Sequence, residues 1–282
     1  MNNTKKLIIF IIIVVFTGLF MSAVCGLSSL GISLMRPRNP GAAFTRNLKD
    51  PISEIDIESE TADIRFYVTP EKNGKVVWNG SRVTKLNVKT RKGTLSIEEK
   101  YRLPWFLRIG IINDRTEIKV YLPKDSYRSL KAESDTGDIF IPAGLTFSSA
   151  EIDTDTGTVD LHADVRDELK VDTDTGRISL SDVRCQDLKA ESDTGSITLT
   201  KVIAADHMKV KTDTGSIRLD RCDAGKLELE SDTGSITGTL LTDKVFSASS
   251  DVGKISIPEN GSGGSCVIRT DTGSIQITID GR

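Results

Sequence analysis

The chain has 282 residues with 37 basic and 40 acidic side chains, a formal net charge of −3, and this length fits one large domain or two small ones. The first 38 residues contain four basic residues and no acidic one, which leaves 33 basic against 40 acidic residues, a charge of −7, for the rest. This acidic balance excludes a typical nucleic-acid-binding protein, whose binding surface is clearly basic. The four cysteines and two histidines form no CxxC or Cys/His cluster, so no structural zinc site is expected.

The N-terminus contains a long apolar segment. Lys5 and Lys6 precede an uncharged run from Leu7 to Met35, which is longer than the ~20 residues that cross a hydrocarbon core. It is also longer than the apolar region of a typical cleaved signal peptide. We therefore predict an uncleaved transmembrane signal anchor at residues 7–35, with cleavage near Ala23–Gly26 as the alternative.

The residues that flank this segment suggest an orientation. Basic residues occur on both sides of it, so the positive-inside rule does not decide the topology. A short tail before a large domain favours a cytoplasmic tail at residues 1–6 and a single-pass protein of the cell membrane with its main domain extracytoplasmic. Residues 36–50 contain proline and glycine and are predicted to form a linker.

The rest of the chain contains an internal repeat. A glycine preceded by Asp and Thr or Val recurs eight times at intervals of 19 or 20 residues. The eight glycines are Gly137, Gly157, Gly176, Gly195, Gly215, Gly234, Gly253 and Gly273. Such a period is typical of a solenoid, in which each repeat forms one coil.

Apolar residues alternate with polar ones on both sides of each glycine. In the repeat around Gly195, Leu188 and Ala190 precede the glycine and Ile197 and Leu199 follow it. Period-2 alternation indicates β-strands with one buried face. The apolar residues lie an odd number of positions before the glycine and an even number of positions after it, so the chain must turn a corner there. Each repeat therefore predicts a strand, a sharp corner, a second strand and a looser return.

These patterns predict an all-β fold: a parallel β-solenoid of 19–20-residue coils, each stacked on the one before, after an N-terminal transmembrane helix. Right-handed winding is expected because it is the rule for parallel connections. Residues 131–282 are predicted to form the regular coils and residues 51–130 degenerate coils that cap the N-terminal end. A β-sandwich is the alternative, although it would not require such constant columns.

The Asp-Thr-Gly triplet also occurs in aspartic proteases, where two copies face each other and share a proton. Eight equivalent copies provide no such unique pair, so we interpret the triplet as structural. The aspartate is expected to accept hydrogen bonds from the corner backbone, and the glycine to adopt a positive φ. This turn ladder consists of Asp135, Asp155, Asp174, Asp193, Asp213, Asp232, Asp251 and Asp271.

Three further features suggest binding. Asp153, Asp155, Asp172 and Asp174 are candidate calcium ligands, although calcium usually needs several carboxylates per ion. Trp105 and Phe106 interrupt the strand pattern, and form either a loop over the solenoid end or a candidate contact patch for a membrane or partner. The last strand, "SIQITID", ends near the C-terminus and predicts an exposed edge that a partner or self-association would cover.

The segment "TEIKVYLPKDSYRSLKAESDTGDIFI", followed by tandem "SDTGSI" units, resembles the bacterial putative-adhesin family of β-strand repeats, a domain of unknown function. The resemblance covers about residues 50–282, and small anchored members are similar to the membrane proteins of Lia-type envelope-stress operons. It implies a non-enzymatic role at the cell envelope, with no catalytic residues and no cofactor.

The sequence therefore predicts an extracytoplasmic binding or scaffold protein that contacts an envelope polymer or a membrane protein. A carbohydrate-active β-helix enzyme is one alternative, but it would need paired carboxylates at one place on a groove. A regulatory partner that contacts another membrane protein through residues 7–35 is the other.

Overall fold

The computed structural model describes residues 44–80, 84–101, 116–259 and 261–281. Within these residues there are 23 β-strands in two sheets, which we name sheet A and sheet B. The described residues include no helix with the length and apolar character needed to cross a membrane. The predicted anchor at residues 7–35 lies outside the described residues and stays a prediction.

Sheet A contains the strands that follow each corner, together with two strands from the N-terminal region. These are β1 (Phe44–Asn47), β3 (Asp63–Thr69), β4 (Lys75–Asn79), β7 (Glu117–Pro123), β9 (Ile139–Ile141), β11 (Val159–Leu161), β14 (Ile178–Ser181), β16 (Ile197–Thr200), the first part of β18 (Ile217–Thr233), β19 (Ile236–Leu240), β21 (Ile255–Ser256) and β23 (Ile275–Ile279).

Sheet B contains the strands that lead into each corner. These are β2 (Glu54–Ser59), β5 (Thr84–Arg91), β6 (Thr94–Tyr101), β8 (Ser126–Thr136), β10 (Thr146–Thr156), β12 (Asp164–Val165), β13 (Glu168–Thr175), β15 (Arg184–Thr194), β17 (Ile203–Thr214), the second part of β18, β20 (Val245–Val252) and β22 (Ser265–Thr272).

The repeated coils have the predicted strand, corner, strand order, and they stack in parallel. Leu188 of β15 is in register with Met208 of β17, and Ile197 of β16 with Ile217 of β18. Because equivalent residues stack, each apolar column becomes a continuous strip of the core. Burying one Ile or Leu side chain contributes about 1.5–3 kcal/mol. The prediction of an all-β, parallel solenoid is confirmed; its right-handed winding stays a prediction.

Three cysteines occupy buried positions beneath the sheets. Cys185, Cys222 and Cys266 are buried and form no disulfide. Burial raises the pKa of the Cys185 and Cys266 thiols to about 12 and that of Cys222 to about 11. These residues thus behave as small apolar side chains.

The predicted order of stacking is wrong at the C-terminal end. The last coil, β22–β23, is inserted between β18–β19 and β20–β21, so the penultimate coil is outermost. The glycine-rich segment that leads into β22 permits this insertion. A Cβ on Gly263 would lie 1.8 Å from the Asp243 carbonyl oxygen, and one on Gly264 would lie 1.9 Å from that of Gly225.

The N-terminal end has the same exchange. The first coil, β2–β3, lies between β8–β9 and the β6–β7 coil, which is therefore outermost. Antiparallel strands then close this end: β5 pairs with β6, β4 with β7 and β1 with β4. Residues 44–47 of the predicted linker thus form a strand, whereas the other predicted boundaries stay predictions.

Candidate functional site

The Asp-Thr-Gly corners are held by bonds between coils. Gly195 donates its N–H to the Thr214 carbonyl oxygen of the next coil at 2.9 Å. The buried Thr212 hydroxyl donates to the Gly195 carbonyl oxygen, also at 2.9 Å. The same Ser/Thr-to-glycine bond recurs at most corners, for example from Ser231 to Gly215 at 2.9 Å. At these corners the Ser or Thr before the aspartate is therefore the side chain that satisfies the corner backbone, whereas the buried Ser134 hydroxyl of the first corner has no hydrogen-bond partner among the described residues.

The predicted role of the corner glycines is wrong. Among the eight, all of which are described, only Gly234 has a positive φ, of 156°. The glycine is required instead by the close approach of neighbouring coils. A Cβ on Gly195 would lie 1.6 Å from the Gly176 carbonyl oxygen, and one on Gly176 would lie 1.7 Å from that of Gly157.

The predicted hydrogen bonds are absent from most of the turn aspartates, all eight of which are described. The structure places the eight aspartates in one column along the corner edge. In the described part of the chain, no side-chain hydrogen bond is made by Asp155, Asp174, Asp193, Asp232, Asp251 or Asp271, and Asp213 has an ion pair with Lys211 at 3.4 Å. The column is thus an exposed acidic edge beside corners that the Ser/Thr hydroxyls hold.

The calcium candidates lie on this edge and on the adjoining face of sheet B. Asp153 and Asp172 are neighbours in register, and Asp155 and Asp174 follow them at the corner. Partial burial, and then repulsion from nearby carboxylates, raises the pKa of both Asp153 and Asp172. Among the described residues, no three His, Cys, Asp or Glu side chains form a group that could hold a metal ion. Trp105 and Phe106 lie outside the described residues.

The outer face of sheet A has an aromatic group near the N-terminal end, formed by Tyr67, Tyr121, Phe140 and His162. Tyr67, Tyr121 and Phe140 lie in the neighbouring strands β3, β7 and β9, His162 directly follows β11, and all four are partly exposed. The Tyr67 and Tyr121 rings stack with centroids 4.9 Å apart and an 18° interplanar angle. The Phe140 and His162 rings lie 6.0 Å apart. The inward columns of the repeat do not indicate this group, because its aromatic residues stand at outward positions of the alternating pattern.

Beyond the aromatic group the same face carries a row of hydroxyl side chains, which we call the hydroxyl track. Its members lie at outward positions of β14, β16, β19 and β23. Strand β18 lies between β16 and β19 and interrupts the track with the exposed, charged Arg218 and Asp220. The track comprises Ser179, Ser181, Thr198, Thr200, Thr237, Thr239 and Thr278. The Thr239 and Thr278 hydroxyls lie 3.2 Å apart across two strands.

Ion pairs balance the charges around the aromatic group. Glu117 contacts Arg65 at 3.3 Å and Lys119 at 3.0 Å, and its hydrogen bond raises the pKa of Lys119. Lys75 lies 5.0 Å from the centre of the Tyr121 ring, within cation–π distance. Asp160 contacts His162 at 3.0 Å. The carboxylates of this region are therefore engaged locally.

The outer face of sheet B differs in character. Lys189 and Lys209 both contact Glu191, at 2.7 and 2.9 Å, and these bonds lower the pKa of Glu191 against the opposing effect of its partial burial. Pairs between exposed charges of this kind add little stability, about 0–1 kcal/mol each. Sheet B thus presents mainly paired charges to solvent, whereas sheet A presents rings and hydroxyl groups among its charged residues.

A groove of about 560 Å³ follows the return segments between the two sheets. Asp182, Lys201 and Arg221 line it, with left-handed φ values of 56°, 52° and 51°. Lys201 contacts Asp182 at 3.5 Å. The stacked left-handed residues form the second corner of three successive coils, and their opposite charges partly cancel.

Comparison with known proteins identifies similar folds and the family of the chain. A crystal structure of a "putative adhesin" from Bacteroides fragilis aligns with a TM-score of 0.54 and 16% identity, over 85% of this chain and 99% of that chain. A "putative lipid binding protein" from Parabacteroides distasonis aligns with a TM-score of 0.45 and 17% identity, over 84% of this chain and 97% of that chain. No curated protein matches the sequence. The Toastrack DUF4097 family matches residues 52–202 and 159–282, and the chain therefore belongs to this family.

Proposed function

We propose that the protein is a membrane-anchored, extracytoplasmic binding protein of the bacterial cell envelope, and that the outer face of sheet A binds an extended polysaccharide. The observation that carries this proposal is the row of exposed rings and hydroxyl groups along one rigid sheet. From β7 to β23 this face spans nine strands, about 38 Å at ~4.8 Å per strand. Eight of these strands contribute a ring or a hydroxyl group at or beside the strand, and β18 contributes the charged Arg218 and Asp220. A row of this length suits a polymer better than a small ligand.

The chemistry of the face supports a polysaccharide ligand. A sugar ring has apolar C–H faces that pack on aromatic rings, and hydroxyl groups that exchange hydrogen bonds with Ser and Thr. Each Ser or Thr hydroxyl both donates and accepts, as each sugar hydroxyl does. Tyr and Ser side chains are the combination that adaptable protein-binding surfaces use. Because the strands hold these side chains in place, little conformational entropy is lost on binding.

The name of one similar structure agrees with this proposal. The Bacteroides fragilis protein is described as a "putative adhesin", which is a binding role at a cell surface. A role in adhesion or envelope-stress sensing fits the same surface. A carbohydrate-active enzyme would need free paired carboxylates, whereas Glu117 beside the aromatic group forms ion pairs with Arg65 and Lys119, and Asp160 contacts His162.

Affinity electrophoresis of the purified full chain in gels that contain isolated envelope polysaccharides would test the proposal. We expect Phe140→Ser to weaken binding about two- to tenfold, since ring contacts contribute about 0.5–1.5 kcal/mol. Val267→Ser provides the matched control, because Val267 is a partly exposed apolar residue of β22 on sheet B. Equal retardation of the parent and Phe140→Ser, or no retardation of the parent by any envelope polysaccharide, would refute the proposal. Product release during the assay would favour the enzyme alternative.

A further inference from the structure

The outermost C-terminal coil, formed by β20 and β21, is an open end of the solenoid. Within the described residues, β20 pairs with β22 and β21 with β23, and neither has a strand on its other side. The coil also exposes large apolar side chains: Val245 is 49% exposed, Val252 65% and Ile255 43%. Of the six large apolar residues exposed in the described chain, these three lie in this one coil.

The N-terminal end offers no equivalent surface. Antiparallel strands β5 and β4 cover the outermost coil there, and β1 covers β4. Head-to-tail stacking of copies would therefore have to displace these strands. The two ends differ, and only the β20–β21 end is left as a parallel coil edge in the described structure.

The free hydrogen-bonding groups of β20 can be identified from its pairing. Val245 donates its N–H to the Gly264 carbonyl oxygen on the inner side. Because N–H groups of successive strand residues point to opposite sides, those of Ala248 and Ser250 point toward the open edge. A row of such unpaired groups is a template for an added strand.

We propose that this edge pairs with the same edge of a second copy, antiparallel and around a two-fold axis near Gly253. Residues 245–256 contain one acidic and one basic residue, Asp251 and Lys254, which flank the corner and are both exposed. The edge is thus neutral and does not repel itself. In the two-fold arrangement each Asp251 lies beside Lys254 of the second copy, so the pairing is complementary in charge as well as in hydrogen bonds.

The proposed dimer leaves the outer faces of both sheets exposed and doubles the binding face on sheet A. Two linked faces raise avidity for a long polymer without any new contact to it. The dimer itself does not depend on the proposed polysaccharide function, since its interface is at the end of the rod.

Sedimentation velocity of the full chain in detergent tests this inference. We expect a dimer, and we expect Val252→Lys and Ala248→Pro to shift the dimer dissociation constant upward at least tenfold. The lysine adds charge to the interface, and the proline removes an outward N–H without touching the pairing with β22. Val68→Lys is the control, since Val68 is an exposed apolar residue of β3, 37% exposed, and its variant should dimerise as the parent does.

Charge exchange tests the two-fold geometry. Asp251→Lys and Lys254→Asp should each weaken the dimer, and the double variant should restore it. Melting temperatures near that of the parent would establish that the variants fold. A monomeric parent at every concentration would overturn the inference, as would Val252→Lys and Ala248→Pro variants that dimerise as the parent does. A monomeric parent would also be observed if another protein, rather than a second copy, supplies the added strand.

Discussion

Replacing one corner glycine by alanine should separate two coils. In Gly195→Ala the new Cβ would lie 1.6 Å from the Gly176 carbonyl oxygen, whereas real Cβ contacts are not shorter than 3.0 Å. The coils must therefore move apart by about 1.4 Å on a strand spacing of ~4.8 Å. Three bonds cross this contact: Gly176 N–H to Thr194 at 3.0 Å, Ile178 N–H to Ser196 at 3.2 Å, and the Ser192 hydroxyl to Gly176 at 3.4 Å.

The loss of these bonds sets the magnitude. At a net value near 1 kcal/mol each, three hydrogen bonds correspond to about 3 kcal/mol of the free energy of unfolding. For a domain of this size, 1 kcal/mol shifts the melting temperature by roughly 2–4 °C, so we expect a decrease of about 6–12 °C. The backbone clash does not depend on a positive φ, because none is recorded at Gly195.

Thermal and urea unfolding of the full chain, followed by far-ultraviolet circular dichroism, would measure this change. Ser196→Ala is the matched control, because Ser196 is the next residue of the same corner and its side chain is exposed. The control should unfold within about 0.5 kcal/mol of the parent. A Gly195→Ala variant as stable as the Ser196→Ala control would refute the steric explanation for the conserved spacing of the corner glycines along the chain.

Three further predictions concern the corner and the core. Thr212→Val should lower the free energy of unfolding, measured in urea, by about 1 kcal/mol, whereas Asp193→Ala should change it by less than about 0.5 kcal/mol. A larger loss in Asp193→Ala than in Thr212→Val would instead indicate that the aspartate holds the corner. The pKa of Asp153 is raised by burial, so its ionised form is disfavoured in the folded state. Ionisation of Asp153 therefore lowers the free energy of unfolding as pH rises through that pKa. Asp153→Asn should therefore raise stability at neutral pH by up to about 0.5 kcal/mol, and an equal gain at about pH 3, where the carboxyl is protonated, would contradict the reasoning. The three buried thiols, whose pKa values are about 11–12, should not react with a thiol reagent at pH 8 until the protein unfolds. Fast labelling of Cys185, Cys222 or Cys266 in the native chain, located by peptide mapping, would count against their burial.

The repeating pattern was sufficient to predict the coil. Leu188 and Ala190 before the corner, and Ile197 and Leu199 after it, are buried as the alternation required. Alternation determines which side chains face inward because successive strand residues point to opposite sides. The change of parity at the glycine likewise required a corner, whatever interactions hold that corner together.

The interactions at the corner could not be predicted from the triplet. Asp193 and Thr212 are both side chains that commonly bond to backbone groups, and their sequence positions do not distinguish their roles. The stacking of coils decides between them, since it buries Thr212 against Gly195 and leaves Asp193 exposed. The aromatic group also depends on stacking, because Tyr67 and Tyr121 are far apart in sequence and adjacent in sheet A.

The amino-acid sequence by itself was sufficient to predict an all-β solenoid with a 19–20-residue coil, because local alternation and a regular corner are properties of each repeat. The order of the coils was decided only by the tertiary structure. All coils share the same apolar columns, so β22 matches the register of both β18 and β20 and can lie between them. The buried Lys244–Asp223 pair and the close approach at Gly263 and Gly264 are contacts between distant segments. Such contacts place the last coil inside the stack and leave the β20–β21 coil as its open end.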